Sequence, residues 1–127
     1  MAERRPFQYA VLRVVPSVER GERINVGVVL YCRQHGFLEL RAHIDEDRLR
    51  AVAPDLDPAP VRSRLEALCA VVRGDPGGGA LAALPPSERF GWLVAPSSTI
   101  LQASDVHTGM TDDPAATLER LYGTLVG

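Results

Sequence analysis

The densest run of chemically capable side chains is Ser104-Asp105-Val106-His107-Thr108-Gly109, with Thr111 and Asp112 just after it. It sets hydroxyls, a carboxylate and an imidazole within a few residues, ahead of a helix start at Asp113-Pro114. Such a string can serve acid/base chemistry around His107, or hold a phosphate at a helix N-terminus. The same residue types also build ordinary turns and caps. A reacting constellation is defined in space rather than along the chain. A catalytic His107 would titrate near neutrality.

A second set is basic. Glu22-Arg23-Ile24-Asn25-Val26-Gly27 reads as a charged turn entering a strand. Asn25 falls on the strand face opposite Ile24, Val26 and Val28, and in one register Arg13 and Arg41 project from that same face on neighbouring strands. Two guanidiniums and an amide would bind an anion or a carboxylate. The plainer reading is a hairpin, with Asn25 satisfying backbone groups near the turn and Gly27 admitting another backbone closely. A third set is Arg89-Phe90-Gly91-Trp92. Trp buries a large area with one polar tip, so Trp92 is expected to anchor the inside of the domain, with an interface to another chain as the alternative. Arg89 and Arg23 join Arg13 as candidate anion ligands.

Other chemistries are not expected. His35, His43 and His107 are scattered, and no Cys or His pair has ligand spacing, so no metal or other cofactor is implied. Cys69 sits on an apolar helical stripe, where burial makes a thiol inert. Cys32 follows a strand with no histidine placed to activate it. Phosphate-loop, dinucleotide-binding and nucleophile-elbow patterns are absent.

The elements that must position these residues follow from periodicity. Tyr9 to Val15, Ile24 to Tyr31 and Phe37 to Ile44 read as strands joined by short turns, an antiparallel meander. In the third strand, Leu38, Leu40, Ala42 and Ile44 share one face; Phe37, Glu39, Arg41 and His43 share the other. A short helix opens at Asp45-Glu46-Asp47 and ends before Pro54. Pro58 to Arg73 is a stronger helix with a Val61, Leu65, Leu68, Cys69 and Val72 stripe, and Gly74 ends it. Residues 75–79 read as a flexible loop within the domain, Glu88 to Val94 as an apolar segment of either type, Ser98 to Ala103 as a short strand, and Ser104 to Asp113 as a polar loop. Asp113-Pro114 opens the last helix, whose buried stripe is Leu118, Leu121, Tyr122 and Leu125. The fold expected is α+β: a single domain over 1–127, an antiparallel sheet of about four strands, and two or three helices packed on one face. Both helical stripes should rest on the Ile24/Val26/Val28 side.

Composition bounds the function. The 127-residue chain carries 14 basic residues, all Arg, against 16 acidic ones, for a net charge of −2. That balance disfavours general nucleic-acid binding, which needs a basic face to displace counterions. No apolar leader follows the charged Met1–Pro6 segment, no stretch is long enough to span a bilayer, and two cysteines make no disulfide framework. A cytoplasmic protein with reduced thiols and no membrane association is expected.

Two blocks carry a family resemblance. One is Tyr9 to Pro16 (YAVLRVVP) with Glu22 to Val29 (ERINVGVV). The other is Arg89 to Leu93 (RFGWL), Ala95 to Thr99 (APSST), Val106 to Gly109 (VHTG) and Asp112 to Pro114 (DDP). In this order and spacing the chain resembles the bacterial domain of unknown function 3037 (DUF3037). The resemblance implies no catalytic residue. It implies a loose association with genes for HipA-like kinases, and so an accessory role beside a protein partner. Three readings follow: a non-catalytic interaction module acting with such a kinase; a small enzyme or binding protein for an anionic molecule using His107 with Arg13, Arg23 or Arg89; and a nucleic-acid-associated protein. A homo-oligomer is left open.

Overall fold

A strand that is apolar at nearly every position is buried on both faces, and the second strand has that pattern. In the computed structural model, which describes residues 3–17, 19–96 and 99–127, this strand, β2 (Ile24–Cys32), lies inside a five-stranded antiparallel sheet. β1 (Arg5–Val14) pairs along one side of it and β3 (Phe37–Ala42) along the other. Two short strands share the far side of β1: β4 (Leu101–Ala103) pairs with Leu12–Val14, and β5 (His107–Thr111) with Arg5–Tyr9. They form one interrupted edge, and β3 is the other.

The sheet separates two helical layers. On one face α1 (Glu46–Val52), α2 (Pro58–Arg73) and α3 (Pro86–Val94) bring Leu49, Val61, Leu65, Leu68, Val72, Phe90 and Leu93 onto Ala10, Leu12, Val14, Ile24, Val26 and Val29. On the other face α4 (Pro114–Leu125) brings Leu118 and Leu121 onto Phe7, Val28, Leu30 and Cys32. The α+β class stands. The single covered face does not: the helices lie on both sides, and the two stripes expected together are on opposite faces. Both faces of β1 and β2 are apolar, and what splits the expected Ile24/Val26/Val28 face is a β-bulge. Leu12 pairs with Gly27 but Arg13 pairs with Asn25, so Val26 is an extra residue on β2. A one-residue slip exchanges the faces of everything beyond it. Ile24 and Val26 therefore face α2, whereas Val28, Leu30 and Cys32 face α4.

Local chemistry sets the helix starts. The carboxylates of Asp45, Asp57 and Asp113 accept hydrogen bonds from the first-turn N–H groups of α1, α2 and α4. Pro58, Pro86 and Pro114 occupy first-turn positions, where their missing N–H costs nothing. Three expectations change. The ambiguous apolar segment is α3. Residues 76–79 belong to a kinked 3₁₀ stretch, Pro76–Ala83, which Asp75 precedes as N-cap and which packs on α2 at Gly78 and Val71. The segment read as a polar loop contains β5. Ser98, the expected start of the fourth strand, lies outside the described residues. No helix among the described residues is long and apolar enough to cross a membrane.

Candidate functional site

The polar string from Ser104 to Thr111 is split by the strand that contains it. Ser104 sits in the gap between β4 and β5 and is buried. Its N–H donates to the Val11 carbonyl at 2.8 Å, and its hydroxyl accepts from the Val11 N–H at 2.9 Å and donates to the Asp105 carbonyl at 2.9 Å. The hydroxyl thus completes the ladder where the edge has no carbonyl in place. His107 pairs with Tyr9 on the face shared with α4, its exposed ring 5.2 Å from the Tyr9 ring. Thr108, the next residue on the strand, points to the opposite face beside Gln8. A Cβ on Gly109 would fall 2.7 Å from the Phe7 ring, so only glycine lets β5 lie over that ring. Thr111 is buried, hydrogen-bonded to Thr117 of α4 at 2.7 Å and accepting from the Asp113 N–H at 2.9 Å. Serine, imidazole and threonine therefore do not converge.

The basic set shares a face but not a point. Arg13 pairs with Asn25 on one side and Gln102 on the other, and Arg41 pairs with Val28, all on the α4 face. The Asn25 amide donates to the Leu125 carbonyl at 3.0 Å, and Arg48 donates to the Val126 carbonyl at 3.1 Å. Both satisfy carbonyls that the end of a helix leaves unpaired. Arg41 lies 3.4 Å from a Glu119 carboxylate oxygen and over the Tyr122 ring at 5.0 Å. With β2 between them, Arg13 and Arg41 are on the order of 10 Å apart across the sheet. The Nε of Arg13 is buried and has no hydrogen-bond partner among the described residues, and the same holds for the Nε of Arg89. Burial, then the positive charge of Arg23, lowers the pKa of Arg13, and Asp105 opposes them. Glu22 pairs with Arg20 within the turn.

Arg89 reaches back to α2, donating to the Val72 carbonyl at 2.9 Å and the Val71 carbonyl at 3.3 Å. Trp92 differs from its expected interior role. It lies outside the Phe90/Leu93 stripe of α3, is 41% exposed, and borders a cleft of about 220 Å³ whose apolar wall includes Leu12, Leu68, Leu93 and Leu101.

Larger concavities lie elsewhere, and sequence reading did not single them out. Two adjoining clefts of about 680 and 570 Å³ follow the β3 edge and share Cys69 and Arg73 of α2. The first is bounded by the start of α1, with Arg62 paired to Glu46; the second reaches Glu119 of α4 and Arg89. The available signal was the Glu39/Arg41 alternation on a third strand with no strand to follow it directly. Cys69 is half-buried, and burial pushes its thiol pKa up; Arg73 pulls it down and Glu66 adds to the rise. Cys32 is fully buried, its thiol donating to the Pro6 carbonyl. Among the described residues no group of three His, Cys, Asp or Glu side chains is placed to hold a metal ion.

These features define a three-layer α+β domain whose sequence-marked polar groups are mostly absorbed by caps, ladders and ion pairs. The model of the family described as "Protein of unknown function (DUF3037)" matches residues 9–126, nearly the whole chain, and the chain belongs to that family. No curated protein and no solved structure matches it.

Proposed function

We propose that this chain is a non-catalytic accessory module of the cytoplasm that acts by binding a protein partner, with a HipA-like kinase as the partner class the family resemblance suggests. The supporting observation is Trp92. Phe90 and Leu93 of α3 are buried, while the largest side chain of the helix is left 41% exposed beside an apolar cleft. Truncating an aromatic anchor at such a place commonly costs about 2 kcal/mol or more of binding energy. The scattering of His107, Arg13, Arg41 and Arg89 also favours binding over catalysis, because a reaction needs its groups at one reacting atom.

The test is a tagged pull-down from the native cytoplasm, with proteins and small molecules both identified by mass spectrometry. The expected result is one protein recovered in near-equal amount, with recovery falling at least tenfold for Trp92→Ala while its circular dichroism is unchanged. A small anion recovered without a protein partner would overturn this reading. It would favour the second one, a binding protein for an anionic molecule, which draws on the buried Nε of Arg13 and the charge of Arg23 beside it. Arg13→Ala would then abolish the recovery of the anion.

A further inference from the structure

β3 carries a row of backbone groups that no strand among the described residues uses. Their positions can be deduced. The His43 N–H donates to the Val26 carbonyl at 2.8 Å, and the β2–β3 register continues from that pair without a shift. Hydrogen-bonded and non-hydrogen-bonded pairs alternate along an antiparallel ladder. Phe37, Glu39 and Arg41 therefore direct their N–H and C=O groups inward to β2, and Leu38, Leu40 and Ala42 direct theirs out to the free edge.

We propose that this edge pairs antiparallel with the same edge of a second copy of the chain, about a two-fold axis at Leu40, joining the two sheets into one. Hydrogen-bond phase removes half of all registers, because an outward residue must meet an outward residue. Charge selects among the rest. A register centred on residue 39 sets Glu39 against Glu39, and one centred on residue 41 sets Arg41 against Arg41. The register centred on Leu40 matches Leu38 with Ala42 and Leu40 with itself as hydrogen-bonded pairs. It then sets Glu39 of each copy against Arg41 of the other at non-hydrogen-bonded positions, where strands bring side chains closest, with Cα atoms about 4.5 Å apart.

Edge charges usually blunt a sheet against association by repulsion. Here the alternation attracts in one register and repels in its neighbours. Glu39 and Arg41 are both exposed, and Arg41 keeps its guanidinium at the sheet edge between Glu119 and the Tyr122 ring. The opposite edge offers no equivalent, because it is interrupted at Ser104 and made of two short strands. The dimer surface is also separate from the Trp92 cleft, which borders β4 rather than β3.

The experiment measures mass by light scattering and sedimentation velocity for the wild type, Glu39→Arg, Arg41→Glu, and an equimolar mixture of the two variants. The wild type is expected near twice the chain mass of 13.8 kDa. Each single reversal creates two like-charge pairs and is expected to weaken the dimer about tenfold or more. The mixture restores it, because all-Arg then faces all-Glu. Hydrogen exchange on the wild type gives a readout without mutation. The Leu40 and Ala42 amides should gain protection as concentration rises, while the Glu39 and Arg41 amides stay protected throughout. A wild type that runs at the single-chain mass at its highest soluble concentration overturns the proposal, even if the edge then takes an extended segment of another protein. So does a dimer indifferent to the single reversals, or a mixture that stays monomeric.

Discussion

Ser104 takes the place of a backbone carbonyl. Between β4 and β5 the edge turns away from β1, and the Val11 N–H would be left buried and unpaired; the hydroxyl accepts it at 2.9 Å. A hydroxyl suited to filling a ladder is, by composition, as suited to a catalytic string, which is why the sequence could not separate the two roles. What separates them is direction: Ser104 points inward and His107 outward. Ser104→Ala should cost about 1–3 kcal/mol, the usual penalty for orphaning a buried donor, read as a lower urea midpoint with unchanged slope. His107→Ala removes an exposed ring that touches Tyr9 and should cost less. The opposite order would mean that His107, not Ser104, holds the strand.

At the scale of elements the bulge at Val26 and Gly27 has the widest consequences. It divides the Ile24/Val26/Val28 stripe between two faces, so that Ile24 and Val26 meet α2 while Val28 meets α4. Gly27 also lets β3 close in: an added Cβ would lie 2.9 Å from the Ala42 Cβ and 3.1 Å from the Arg41 carbonyl oxygen. Gly27→Ala should therefore destabilise the fold by about 1–3 kcal/mol through overpacking, visible in chemical denaturation. A neutral substitution would show that β3 is free to shift outward. Other elements were unevenly legible. α2 and α4 were readable because Asp caps, first-turn prolines and apolar stripes agreed with one another. β5 was not, because His107, Thr108, Gly109, Met110 and Thr111 form no apolar alternation; its strand state comes from pairing with β1. α3 was ambiguous because nine residues carry too few turns for a clear period.

For the whole molecule the controlling fact is that β1, near the start of the chain, pairs on one side with β2 and on the other with strands from the last quarter of the chain. Arg5 pairs with Thr111 and Gln8 with Tyr31, so the sheet closes only after the last quarter of the chain has arrived. Such non-local pairing carries a loop-closure cost and slows folding. A chain cut after Val94 would lose β4, β5 and α4, opening one side of β1 and exposing Phe7, Val28, Leu30 and Cys32. It should show no cooperative thermal transition by calorimetry. A cooperative one would make the α4 layer an attachment rather than half of the core. The ion pairs contribute little to this balance, since their partners are substantially exposed.

The sequence by itself determined the α+β class, the first three strands and their antiparallel order, the two long helices with both ends of α2 and the start of α4, and the family, because these rest on short-range signals: alternation, caps, prolines and contiguous motifs. The tertiary structure alone decided which face each helix covers, which arginines meet, and whether the polar string is a site or a seam. Those outcomes turn on a single extra residue in β2 and on pairings between residues about a hundred positions apart. No local pattern encodes them, since a one-residue slip reverses every side chain beyond it while leaving the apolar run of β2 unchanged.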